Sequence, residues 1–161
     1  MRLVLMVIGL LFCSAPALAA WSVNLNKDPI TDKVDVIAYV KNQDSEIFSF
    51  SCAHAEGGSF VTLGVVMSEP AIQLERRVPA QVRSDSNIVH EIDMALTRNM
   101  STLFWSDVDG LAVVELAREV ARASERIVLR ARFSSKGMQT MLFPVTGAAE
   151  AIGQALEACG K

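Results

Sequence analysis

Histidine is scarce in this chain: among 161 residues there are two, His54 and His90. Cysteine is nearly as scarce, with Cys13, Cys52 and Cys159. Cys52 and Cys159 stand far apart with only His54 close by, which matches no zinc-ligand spacing. No Gly-x-Ser-x-Gly elbow is present, so the usual hydrolase nucleophile turn is missing. Asp107-Val108-Asp109-Gly110 opens like a calcium loop. It runs on into Leu111-Ala112-Val113-Val114, which supplies none of the further side-chain ligands. No metal and no cofactor are therefore expected. Basic excess is lacking too: the formal charge is -3, and this mild acidity argues against a phosphate-binding surface and against nucleic acid as a partner. No internal repeat or low-complexity tract appears. No apolar run reaches the roughly 20 residues that a membrane-spanning helix needs.

What is present begins with a leader. Arg2 precedes the apolar run Leu3 to Phe12, Pro16 breaks it, and Ala17-Leu18-Ala19 reads as an A-x-A cleavage signal before Ala20. That order predicts a secretory signal peptide over 1–19, cut between Ala19 and Ala20. A lipoprotein signal is the rival, since Cys13 follows the apolar stretch, but bulky Phe12 stands where a small residue is wanted. The remainder, 20–161, is long enough for one domain with its own core. Periplasmic or secreted location follows from the leader.

Period-two alternation predicts strands. Val34 to Val40 places Val34, Val36, Ala38 and Val40 on one face; Ile47 to Ala53 does the same with Phe48, Phe50 and Cys52. Gly57-Gly58 turns the chain into a third strand, Phe60 to Met67, completing an antiparallel meander. Residues 68–87, interrupted by Pro70 and Pro79, read as a long excursion with one irregular strand at most. Strands follow at Ile88 to Met94, with Ile88, His90, Ile92 and Met94 on one face, and at Thr102 to Trp105.

The period then changes. Gly110 to Ser124 carries Val113, Leu116, Ala117 and Val120 at helical spacing, with Asp107 or Asp109 as its cap. Ile127 to Phe133 and Met138 to Phe143 form a hairpin. Thr146 is expected to cap a last helix, to about Cys159, whose apolar stripe is Ala148, Ala149, Ile152, Ala155, Leu156 and Cys159. Without βαβ alternation, the order predicts an α+β fold: a curved antiparallel sheet with two helices.

Cys13 leaves with the leader, so Cys52 and Cys159 remain as an even pair in an exported chain, where thiols are oxidised. Both lie on predicted buried faces. A Cys52–Cys159 disulfide would tie the C-terminal helix to the early sheet, and it would remove Cys52 as a nucleophile partner for His54. His90 reads as a core or edge histidine, because Glu91 and Asp93 point to the opposite side of its strand. Arg118, Arg122, Arg126, Arg130, Arg132 and Lys136, interleaved with Glu115, Glu119 and Glu125, read as a solvated, salt-bridged face, with an anionic glycan or lipid headgroup as the other reading. Trp21 reads as an anchor for the segment that follows the leader.

Three stretches together carry a resemblance. They are Trp21 with Asp28-Pro29 and Asp32, then Cys52, then Phe143, Gly147, Ala151-Ile152, Leu156 and Cys159-Gly160. In these the chain resembles the VasI/TagO family of exported proteins associated with type VI secretion. It departs from that family at Ser51, where a basic residue is usual, and in Phe60 to Met67, which holds a single aromatic. The resemblance implies a periplasmic accessory role without established catalysis. The expected function is thus an exported, non-enzymatic accessory or binding protein with an unidentified envelope partner. The other readings are an inhibitor of a wall-cleaving enzyme, acting through Ser68 to Asn87, and a small envelope hydrolase using His54 or His90.

Overall fold

Strands alternating apolar and polar side chains must bury one face, and here a single sheet collects them all. The computed structural model describes residues 20–55, 58–71, 76–106 and 110–161. In chain order the elements are β1 (Ser22–Lys27), β2 (Val34–Lys41), β3 (Ile47–Ala55), β4 (Gly58–Val66), β5 (Arg77–Ser84), β6 (His90–Leu96), β7 (Thr102–Trp105), α1 (Leu111–Ala121), β8 (Arg126–Phe133), β9 (Gly137–Pro144) and α2 (Ala148–Ala158). The nine strands form one antiparallel sheet in the order β1-β2-β3-β4-β7-β6-β5-β8-β9, curled into a half-barrel. This is the expected α+β fold, with α2 at the C-terminal end.

The inner face is continuous across the sheet. Cys52 lies opposite Val36 and Val61, Phe48 opposite Val40 and Val65, Val65 opposite Leu103, Ala80 opposite Ile92 and Ala131, and Ile127 opposite Phe143. All of these are buried. Helix α2 packs on β1, β2 and β3, and α1 packs on α2 and β4, so the helices fill the half-barrel. Both apolar stripes face inward, with two adjustments: Val114 and Ala151 are also buried, while Ala149 is exposed.

Cys52 and Cys159 are disulfide-bonded, with Cα atoms 5.5 Å apart across 107 residues of sequence. Trp21 closes the fold from the other end of the chain. Its N–H donates to the Thr146 carbonyl at 2.9 Å and its Nε1–H to the Pro144 carbonyl at 3.0 Å. Its ring packs on Phe48 and Phe50, with centroids 6.2 and 6.4 Å away.

The differences from expectation have local causes. Residues 77–84 are a regular strand in the interior of the sheet, not an excursion. Pro79, an outward residue, has only to forgo one ladder N–H. β6 begins at His90 rather than Ile88, and Ile88 is 78% exposed in the turn before it. β1 was not expected, because its side chains are almost all exposed and give no alternation. Thr146 is not the cap of α2: the cap position is Gly147, with φ of 81°, and the Thr146 carbonyl is taken by Trp21. Likewise α1 starts after Gly110 in the left-handed region, and ends at Ala121, not Ser124. Asp107, Asp109, Cys13 and the 1–19 leader with Ala19 lie outside the described residues; Ala20 is exposed.

Candidate functional site

The two histidines end up in different chemistry. His54 sits near the end of β3, directly opposite Ser59 on β4. Its Nε2 lies 3.1 Å from the Val34 carbonyl and its Nδ1 2.7 Å from Ser59 Oγ. A carbonyl only accepts, so in the neutral ring Nε2 carries the proton and Nδ1 accepts from the Ser59 hydroxyl. The main-chain N–H of His54 donates to Asp35 Oδ1 at 3.1 Å. The disulfide takes Cys52 out of reach as a thiolate, so no Cys–His nucleophile pair forms here. The exposed Ser59 hydroxyl, which the sequence reading passed over, is what the ring meets instead.

His90 opens β6 on the inner face, opposite Val82. As the strand geometry required, neither Glu91 nor Asp93 flanks it. Its partner comes from α1: His90 Nε2 donates to Glu119 Oε2 at 2.8 Å. The other carboxylate oxygen of Glu119 accepts from Ser84 Oγ at 2.6 Å, and Asn87 Nδ2 donates to Ser84 Oγ at 3.2 Å. Ser84 is fully buried. Burial pushes the Glu119 carboxyl up, but the hydrogen bonds from Ser84 and His90 outweigh it and leave its pKa below the usual value. Both the serine and the imidazole donate to the same carboxylate, so the serine is not presented to the ring as a nucleophile. The cluster joins the β5–β6 turn to α1. Beside it Asp85, in left-handed backbone at φ of 49°, accepts from the N–H groups of Ser124, Glu125 and Arg126 at 2.7 to 3.0 Å. Those bonds, first Ser124 and then Arg126, hold its pKa down at about 2.

A third feature lies on the outer face. Alternation places Arg77 and Arg83 of β5 and Arg126, Arg130 and Arg132 of β8 outward, and all five are exposed. Two shallow depressions follow these strands. One, of about 650 Å³, is lined by Arg77, Pro79, Gln81, Arg130, Arg132 and Met138 among others. The second, of about 360 Å³, includes Gln81, Arg83, Arg126, Val128 and Arg130. They share Gln81 and Arg130, so together they make one trough.

This corrects the expectation of a salt-bridged basic face. Among the described residues, Arg83, Arg118, Arg122, Arg126, Arg130 and Arg132 make no ion pair. Glu119, expected among them, is turned to His90. Among the described residues, Lys136 alone of the expected cluster has an acidic partner, Glu69 at 2.9 Å. The structure separates Arg118, on α1, and Arg122, just past its end, from the β8 arginines and brings Arg83 and Arg77 to the latter. Alternation within 77–84 was the signal for that, hidden by Pro79. Among the described residues no group of three or more His, Cys, Asp and Glu could hold a metal. Among the described residues no helix is long and apolar enough to cross a membrane.

Comparison with family models, with curated proteins and with solved structures finds no match to this chain.

Proposed function

We propose that this is an exported binding protein of the cell envelope, working without catalysis and serving as an accessory to an envelope assembly. The observation that supports it best is the arginine trough on β5 and β8. Its arginines are exposed, and Arg83, Arg126, Arg130 and Arg132 have no acidic partner among the described residues. Like charges on neighbouring strands oppose folding slightly, so the row is better explained by an external partner than by stability. The leader-like 1–19 segment and the disulfide fit an oxidising compartment. The resemblance to the VasI/TagO family supports type VI secretion, or another envelope assembly, as the setting. Photo-crosslinking tests the reading. A crosslinker at Gln81, in the trough, is expected to capture discrete envelope components in cells, while one at Glu157 on α2 captures none. Equal patterns from both positions, or none from Gln81, would count against it.

One observation favours a second reading, a small envelope hydrolase. Ser59 Oγ and His54 Nδ1 form a hydroxyl–base pair at 2.7 Å, and the Val34 carbonyl orients the ring as the third member of a triad would. A fluorophosphonate probe is the test: labelling that disappears in both Ser59→Ala and His54→Ala supports a nucleophile, and absence of labelling in the wild type removes it. The wall-enzyme inhibitor reading would have to act from outside residues 77–84, which form the interior strand β5.

A further inference from the structure

The outer face beside the trough is not merely basic. On β9, at the edge of the sheet, Met138 lies opposite Arg132 and Leu142 opposite Val128. Their exposures are 49% and 51%. At the other end of the trough Val89 is 44% exposed beside Arg83 and Arg126, and Ile88 precedes it in the same turn. Apolar side chains therefore border the guanidinium row along β9 and at its Arg126 end.

We propose that this β5–β8–β9 face docks on an anionic phospholipid surface; the proposal rests on the binding-protein reading and names the ligand of that trough. Arg126, Arg130 and Arg132 run along β8, covering about 20 Å at ~3.4 Å per residue. Arg83 lies opposite Val128 and so diagonal to both Arg126 and Arg130. Guanidinium groups match phosphate oxygens in a two-pronged geometry. Their methylene stems can lie along acyl chains while the charge stays at the headgroups. Met138, Leu142 and Val89 would enter the headgroup–acyl boundary, which adds apolar burial to the electrostatic attraction. A dissolved polyanion would make no use of those exposed apolar groups, which is why a bilayer is the occupant.

The acidic groups on this side are largely engaged. Asp93 faces Arg77 at 3.9 Å, Glu91 accepts from Gln81 at 3.3 Å, and Asp85 is held by three main-chain N–H groups. Glu91 lines the first depression and Glu125 the second, so the five arginines share the trough with four carboxylates, three of which have hydrogen-bond or ion-pair partners. The face keeps a small positive excess inside a chain of net negative charge, which composition alone does not reveal.

The test is co-sedimentation of the exported, disulfide-bonded chain with vesicles of equal phosphatidylglycerol and phosphatidylcholine, and with phosphatidylcholine alone. Binding is expected only to the anionic vesicles, weakening as salt rises. Arginine near such a surface is worth roughly fivefold in affinity, so Arg130→Gln with Arg132→Gln should weaken binding on the order of 25-fold. Met138→Ser with Leu142→Ser should also weaken it, while circular dichroism and Tm stay near wild type because all four side chains are exposed. Equal binding to both vesicles, or wild-type binding by the arginine variant, overturns the proposal. So does binding of soluble polyphosphate that the arginine variant loses and the Met138/Leu142 variant keeps, without vesicle binding. Crosslinks from Gln81 to an envelope protein, with no vesicle binding, would remove the lipid and leave the binding-protein reading standing.

Discussion

Trp21 shows how much one side chain can decide. It is 7% exposed, donates hydrogen bonds to the carbonyls of Pro144 and Thr146, and packs edge-on to Phe48 and stacked on Phe50. It adds a buried side-chain anchor to β1, which otherwise depends on its ladder to β2, since nearly all of the strand's own side chains face water. Trp21→Ala is expected to destabilise by roughly 3–5 kcal/mol, as loss of a large buried aromatic does; denaturant unfolding measures it. Asp85 is the second such residue. Its folded pKa of about 2 lies below the ordinary carboxylate value, so its stabilisation is fully present above about pH 4 and fades as pH falls toward 2. Asp85→Asn should therefore lower Tm at neutral pH, and the gap to wild type should close in acid. A gap that does not change with pH would mean that the three N–H bonds are not what Asp85 contributes.

At the scale of elements, α1 is attached to the β5–β6 corner through Glu119. That carboxylate serves Ser84 and His90 at once. An amide has one acceptor oxygen, so Glu119→Gln strands one of two donors, at a cost of about 1–3 kcal/mol for a buried group. Since the Glu119 pKa is lowered, the wild-type advantage should hold above its ordinary value near 4.5 and shrink as pH falls through its lower, folded value. Thermal melts of both proteins across that range check this. The same corner explains a legibility limit. His90 could be placed on the inner face from alternation alone, but the partner comes from 29 residues away on a helix. Nothing in strand periodicity encodes which helix turn meets a strand end. β5 was obscured for a different reason. Proline usually marks an edge or a break, yet Pro79 takes an outward position within the β5–β6 ladder, just before the pairing of β5 with β8 begins at Ala80.

Across the whole molecule the disulfide acts on the greatest span of chain. It joins an early strand to the residue after the last helix, 107 positions apart. In the chain-entropy model a loop of that order gains nearly 5 kcal/mol, and removing a native bridge from a small exported domain commonly costs about 2–5 kcal/mol. Cys52→Ser with Cys159→Ser should lower the denaturant midpoint accordingly and steepen the slope, because the uncrosslinked unfolded chain exposes more surface. Intact mass tests the proposed export together with the bridge: it is expected to show a chain starting at Ala20 with both thiols blocked until reduction. The half-barrel also explains why the charge is local. A curled sheet has one inner and one outer face, so every outward arginine of adjacent strands must share the same surface.

The amino-acid sequence by itself determined the alternating strands of β2, β3, β7 and β8, the two helical stripes, the mixed α+β class and the inward facing of Cys52 and Cys159. These depend on local periodicity, which is written residue by residue. Only the tertiary structure decided that β4 pairs with β7, that β5 lies between β6 and β8, that Glu119 turns to His90, and that Arg83 joins the β8 arginines. Each of those is a choice among partners distant in sequence. It is settled by which arrangement buries the whole apolar face at once, a sum over the entire chain that no single segment contains.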